Sequence, residues 1–209
     1  MKVSIITIVY NNRETIADAI QSVLSQSYPD IEYIVIDGAS TDGTVDIIKG
    51  FSKRIHKFVS EKDNGLYDAL NKGINYATGD VIGFLHSDDL FVDGEVITKV
   101  VKAFEDFDTD SIYADLVYVS RSTPGKVVRK WKSGEYNRQS FLYGWMPPHP
   151  TFYVKKSVYK AWGLYNTTFK SAADYELMLR YLYKHEISTA YIPEVLIKMR
   201  VGGKSNITF

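Results

Sequence analysis

The chain has 209 residues, 45% hydrophobic and 24% charged, with 25 Lys plus Arg set against 25 Asp plus Glu and no cysteine. Such a length predicts one domain, residues 1–209, with a sizeable core, and the balanced charge excludes the broad basic face of a nucleic-acid binder. Without cysteine there are no disulfides or thiolate metal sites, which fits a cytoplasmic protein.

In chain order, Val3 to Tyr10 is a continuous apolar run too short to span a bilayer, and it reads as a buried strand. Ile16, Ala19, Ile20, Val23 and Leu24 follow at helical spacing, with a cap expected at Asn11 or Asn12. Tyr33 to Asp37 repeats the strand signature, TVDIIKGF predicts a short helix and IHKFVS a third strand. Leu66, Ala69, Leu70, Ile74 and Ala77 form one face of a further helix, and DVIGFL is a fourth strand. The alternation predicts an α/β fold, a mainly parallel central sheet flanked by helices with right-handed crossovers. After a helix over 95–107 the character changes. SIYADLVYVS and KVVRKW alternate at period two across TPGK, as in an antiparallel hairpin. A strand and helix are expected in TFYVKKSVYKAWG, and a helix in AADYELMLRYLYKH with Tyr175, Leu179 and Leu182 on one face. Two short strands are expected at 187–192 and 195–200.

In such sheets ligands lie beyond the carboxyl ends of the strands. Three polar clusters fall there and are predicted to converge: Tyr10-Asn11-Asn12, the loop DGASTDGT from Asp37, and His86-Ser87-Asp88-Asp89. The phosphate cradles of dinucleotide oxidoreductases and P-loop NTPases are missing from the sequence, and Asn11-Asn12 stand where a haloacid dehalogenase needs a nucleophilic Asp. Adjacent Asp88 and Asp89 repel each other unless a cation accompanies them. As hard oxygen ligands they suit Mg2+ or Mn2+, an ion that completes its shell with water and substrate phosphates. The structural alternative is a pair that merely caps the next turn.

Other candidates carry a structural alternative as well. Asp37 can accept the N–H of a pyrimidine base or close an Asx turn, with Thr44 as a helix cap. Asp63 and Asn71 are candidate donor contacts or parts of a solvated helix face. Asp174 and Glu176 in a first helical turn are favoured by the dipole, and Asp174 can also act as a general base. Trp145 and His149 in YGWMPPHPTF offer a wall for a sugar ring or a further metal contact. Lys126, Arg129, Lys130 and Lys132 around Trp131 present an anionic lipid diphosphate or membrane surface with a partner, or else protect a sheet edge.

The stretches SIITIVYNNRETIADAIQSVLSQSY, IEYIVIDGASTDGT, SEKDNGLYDALNKGINYATGDVIGFLHSDD, HPTFYVKKSVYKAWGLY and AADYELMLR, in this order, resemble glycosyltransferase family 2. These are inverting nucleotide-sugar enzymes of the GT-A fold, and the resemblance is to bacterial polysaccharide members of the colanic-acid type. It implies that residues 1–107 bind the nucleotide sugar and residues 108–209 face the acceptor. Thr7, Val9, Tyr10 and Asn11 then line the nucleotide pocket and Asp37 contacts the base. Asp89 is implied as the metal ligand, Asp88 as the partner of ribose or diphosphate, and Asp174 as the catalytic base. Trp145, His149, Glu176 and the Gly202-Gly203 loop fall on the acceptor side.

The resemblance also implies a divalent cofactor, Mn2+ or Mg2+, a UDP-sugar donor and a glycan or lipid-linked glycan acceptor. Transfer would be a single inverting displacement in surface polysaccharide synthesis at the inner face of the cell membrane. Many members carry two acids after the second strand where this chain has Asp37-Gly38, which leaves base selectivity open. Donor sugar, acceptor and oligomeric state are not encoded in any recognisable motif. Two alternatives stay open: a sugar nucleotidyltransferase, which would normally carry a GGxGTR-like loop after the first strand, and a non-catalytic nucleotide- or carbohydrate-binding relative, which would tolerate loss of the acids.

Overall fold

The computed structural model describes residues 1–202, so Gly203 of the expected acceptor loop lies outside the described residues. Strands β1 (Val3–Val9), β2 (Ile31–Asp37), β3 (Lys57–Ser60) and β4 (Val81–Phe84) alternate with helices α1 (Ile16–Leu24), α2 (Thr44–Gly50) and α3 (Leu66–Tyr76). After a two-residue strand β5 (Leu90–Phe91) and helix α4 (Val96–Phe107) come β6 (Ser111–Val119), β7 (Val127–Trp131) and β8 (Tyr153–Lys155). Helices α5 (Lys156–Trp162) and α6 (Ala173–Met178) and strand β9 (Thr189–Arg200) follow. α6 runs on into a π-helical turn at Leu179–Lys184.

These strands form one nine-stranded sheet in the order β3-β2-β1-β4-β8-β6-β9-β5, with β7 beside β6. The first four are parallel, as expected of strands joined through helices. All seven residues of β1 are buried. Ile5 and Val9 point to one layer, with α1 and α4, and Ile6 and Ile8 to the other, with α3, α5 and α6. A sheet covered on both faces explains why its strands read as unbroken apolar runs.

β8 joins the halves by running antiparallel to both β4 and β6. At that seam a Cβ on Gly83 would lie 2.2 Å from Tyr153 Cε1, so only glycine admits the tyrosine ring there. The β6–β7 pair is antiparallel, as predicted. The two short strands expected near the end are a single strand, β9, which runs parallel to β6 through register shifts at Ala114–Leu116. The bulge re-phases the pairing around the Pro193 interruption that suggested two strands.

Two local expectations also change. α1 begins only at Ile16, and Asn11 and Asn12 lie in the preceding loop rather than at its cap. In α3 the expected face residue Leu66 is exposed and Tyr67 turns inward instead. Among the described residues no helix is long and apolar enough to cross a membrane. β7 is an exposed strand whose Arg129 lies over the Tyr118 ring and whose Trp131 stacks on it, consistent with a solvated sheet edge.

Candidate active site

Parallel register brings Val9 level with Asp37, and Gly38 N–H donates to the Val9 carbonyl at 2.9 Å. The loops beyond are tied side chain to backbone. Asn11, held at φ 47°, donates its N–H to Ser40 Oγ at 2.7 Å and accepts from Thr41 N–H at 2.8 Å. Asn12 donates its N–H to Thr44 Oγ1 and its amide to Ser87 Oγ, both at 2.9 Å. Arg13 N–H reaches Asp42 Oδ2 at 3.1 Å. The three strand exits therefore meet, as predicted, and the two asparagines are their cross-braces. Thr44, expected as a cap, is the first residue of α2, with its hydroxyl and N–H both donating to Asp42 Oδ1.

Asp37 is buried at the end of β2. Its Oδ2 accepts from Ser40 N–H at 3.0 Å and Ser60 Oγ at 2.7 Å, while Oδ1 is buried without a hydrogen-bond partner among the described residues. A Cβ on Gly38 would stand 2.5 Å from Asp63 Oδ2 and 3.4 Å from Tyr10 Cδ2. Glycine thus gathers Asp37, Asp63 and the exposed Tyr10 ring beyond the end of β2. Thr7 and Val9, expected to line the pocket, are instead enclosed. Thr7 Oγ1 accepts from Tyr33 OH at 3.0 Å inside the core, on the same face of β1 as Ile5 and Val9. Asn71 is likewise committed, its amide forming two 2.9 Å bonds with the Tyr165 backbone.

The paired aspartates are not equivalent. Asp89 is 1% exposed and accepts Arg200 N–H at 3.2 Å through Oδ1, while its buried Oδ2 has no partner among the described residues. Burial first, then the Asp88 charge, push its carboxyl well above the usual carboxylate range. Arg200 also donates to the Asp88 carbonyl at 3.1 Å and to Asp18 Oδ2 at 2.6 Å. Asp88 is only half-buried and, with Asp174, acts electrostatically on His86. Arg200 borders a cavity of about 620 Å³ with Thr15, Asp18 and Arg121.

On the acceptor side Asp174 sits in the first turn of α6, its Oδ1 accepting from Tyr67 OH at 3.3 Å. Glu176, an acceptor candidate, has both oxygens taken by Arg180, at 2.8 and 3.1 Å. Trp145 donates Nε1–H to the Ser133 carbonyl at 3.0 Å and packs edge-on to Phe141, so it forms a half-buried wall. His149 is buried, not presented to an acceptor. Its Nε2 lies 2.6 Å from Tyr165 OH and its ring stacks between Phe84 and His86, at centroid distances of 5.5 and 5.6 Å. Burial, then repulsion from His86, holds it down to about 4, so it is neutral near pH 7.

Sequence reading placed His86 only as part of the cluster at the fourth strand's exit, and it did not single out Tyr67, Tyr165 or Arg200. A histidine two residues before Asp88 and the tyrosine of GLYDALNKG were the available signals. Among the described residues no three His, Asp or Glu side chains are grouped closely enough to hold a metal alone.

The model of glycosyl transferase family 2 matches residues 4–164. An uncharacterised glycosyltransferase of Mycobacterium tuberculosis is 32% identical over 194 residues, covering 85% of this chain and 68% of that protein. A teichuronic acid biosynthesis glycosyltransferase of Bacillus subtilis, so named on putative grounds, is 46% identical over 90 residues, 42% of this chain and 36% of its own length. The crystal structure of S. aureus TarS 1-349 in complex with UDP-GlcNAc superposes with TM-score 0.79 at 19% identity, over 96% of this chain. This chain spans 58% of that structure. A mannosyltransferase from Pyrobaculum calidifontis, in complex with GDP-Man and Mn2+, gives TM-score 0.73 at 18% identity, over 97% of this chain and 58% of its own. The sheet is thus the GT-A-like arrangement of those structures, and the chain belongs to glycosyl transferase family 2.

Proposed function

We propose that the protein transfers a sugar from a nucleoside-diphosphate sugar, a UDP-sugar by preference, to a hydroxyl of a glycan or lipid-linked glycan, with inversion, in bacterial surface polysaccharide synthesis. The observation that carries this is the meeting of the β1, β2 and β4 exits, tied through Asn11 and Asn12 to Ser40, Thr44 and Ser87, with Tyr67 of α3 reaching Asp174 at the α6 start. Support for the donor class comes from the neighbours in complex with UDP-GlcNAc and with GDP-Man. The teichuronic acid relative supports a place in polysaccharide biosynthesis.

The residues fit a divalent cation: two adjacent carboxylates, one half-open and one with a buried, unpartnered oxygen. The roles implied by the resemblance are best exchanged. Asp88 would be the main ligand, since Asp89 is enclosed under Arg200 and can contribute only Oδ2. Bound there, Mn2+ or Mg2+ would supply Lewis-acid stabilisation of the diphosphate leaving group.

The chain's own residues account for the rest. Asp37 and Tyr10 hold the base, and the braced Asn11–Ser40 loop keeps the donor in register. Tyr67 occupies Asp174 Oδ1, which leaves Oδ2 to take the acceptor hydroxyl proton. The acceptor oxygen bonds to the anomeric carbon as the bond from that carbon to the phosphate oxygen breaks, and the electron pair leaves on the diphosphate. A single displacement needs no protein nucleophile.

Incubation with UDP-, GDP- and dTDP-sugars plus Mn2+, read as donor hydrolysis, tests the reading. One sugar nucleotide should turn over with metal. Absence of both turnover and metal-dependent UDP binding by calorimetry would favour a non-catalytic relative and overturn it.

A further inference from the structure

α6 starts from Ala172, which is held in the left-handed region at φ 65°, and no side chain of the adjoining residues caps the helix. The Tyr67 hydroxyl, 106 positions away, fills that place and accepts Ala173 N–H at 3.1 Å. The same hydroxyl donates to Asp174 Oδ1 at 3.3 Å. Burial and the Asp174 charge both push the Tyr67 phenol up, which keeps it a donor across the working range.

The ring itself is fixed. It is 8% exposed and stacks on Tyr165 with centroids 5.8 Å apart. Tyr165 is clamped in turn by the two Asn71 bonds and by His149. One phenol from the donor-side helix α3 thus touches both the backbone that starts α6 and the carboxylate that α6 carries.

We infer that Tyr67 is the positioning residue of the transfer step: its hydroxyl sets the orientation of Asp174 and so couples the donor-side helix to the acceptor-side base. This rests on the reading of Asp174 as the base. An oriented carboxylate takes the acceptor proton along one line, whereas a free one samples several rotamers, and misplacement of about 1 Å costs up to about 10²-fold in rate.

The test is steady-state transfer by Y67F, with D174N and the double variant alongside. The expected result is a kcat lower by about tenfold with donor KM within about twofold, because the interaction acts on the base and not on donor binding. In the D174N background the same change should cost nothing further. A wild-type kcat in Y67F, or equal losses with and without Asp174, overturns the proposal. A fully active D174N removes the base reading itself, which separates the two failures. Incorporation of 4-aminophenylalanine at position 67 covers a Y67F that folds poorly. Its amine still donates to Asp174 but is a poor acceptor for Ala173 N–H, so retained kcat supports positioning and a tenfold loss assigns Tyr67 to helix capping alone.

Discussion

The two sides of the candidate site are built differently. The donor side is made of short polar residues, Asn11, Asn12, Ser40, Asp42 and Thr44, whose side chains tie one loop's backbone to the next through bonds of 2.7–3.1 Å. The side around Asp174 is made of rings: His149 and Tyr165 pack in series against Tyr67 of α3, whose hydroxyl ends on Asp174. Hydrogen-bonded loops hold the three strand exits in fixed relation, while packed rings place one half-buried carboxylate. On the proposed reading, donor recognition and proton removal rest on different kinds of support that meet at Tyr67, so substitutions away from Tyr67 should affect them separately.

The strongest break in that comparison is D174N. It should lower kcat by about 10²–10⁴-fold, the range of a lost general base, while calorimetric binding of the nucleotide sugar stays near wild type. Loss of donor binding in D174N would mean that the two sides share one support. Next in size is D88A, expected to abolish Mn2+-dependent UDP binding in the same calorimetry. D89N, which replaces an enclosed carboxyl under Arg200, should instead lower thermal stability while keeping part of the metal dependence. Equal binding losses in both variants would restore Asp89 to the principal role.

The same contrast explains what the sequence disclosed. The parallel half was readable because buried strands in crossover units give unbroken apolar runs, and the polar residues that end them mark the ligand side. Asp37, Asp88 and Asp174 were proposed that way or through the family resemblance. The burial of Thr7 against Tyr33 was not legible because periodicity does not say which partner a threonine on a buried strand will meet. Asn71 looked available because Tyr165 lies far off in the sequence, whereas the Glu176–Arg180 pair is an i,i+4 contact that helical spacing could have disclosed. β9 was split in two because a proline inside a strand reads as a stop, whereas a bulge accommodates it. Tyr67 was hidden because a helix that starts at Leu66 can turn either residue inward.

A smaller effect sharpens the role of Asn71. Its two bonds to Tyr165 connect α3 to the segment after α5, and Asn71→Ala leaves a backbone N–H and carbonyl without partners. Thermal or urea unfolding should show a loss of about 2–3 kcal/mol, with kcat falling and donor KM unchanged. A change confined to donor KM would place Asn71 in the donor site after all.

The smallest expected effect lies at the far end of the donor side, away from the candidate site. Glu32 on β2 accepts from Ser4 Oγ at 2.6 Å, Thr78 N–H at 2.7 Å, Thr78 Oγ1 at 2.6 Å and Lys2 Nζ at 3.2 Å. Burial alone would raise its carboxyl, but these donors outweigh it and hold the group down to about 2 from an ordinary value of 4.5. Since the folded value is depressed, the contribution to stability is complete above the ordinary value and drains away as pH falls toward about 2. E32Q should therefore cost about 1 kcal/mol at neutral pH, a modest figure because Lys2 is solvent-screened, and the wild-type and E32Q unfolding curves should converge in acid. Donor hydrolysis by E32Q should be unchanged, since this network braces the amino ends of β1 and β2 while the chemistry sits at their carboxyl ends. A gap between the two curves that persisted in acid would mean that shape, not charge, is what Glu32 contributes.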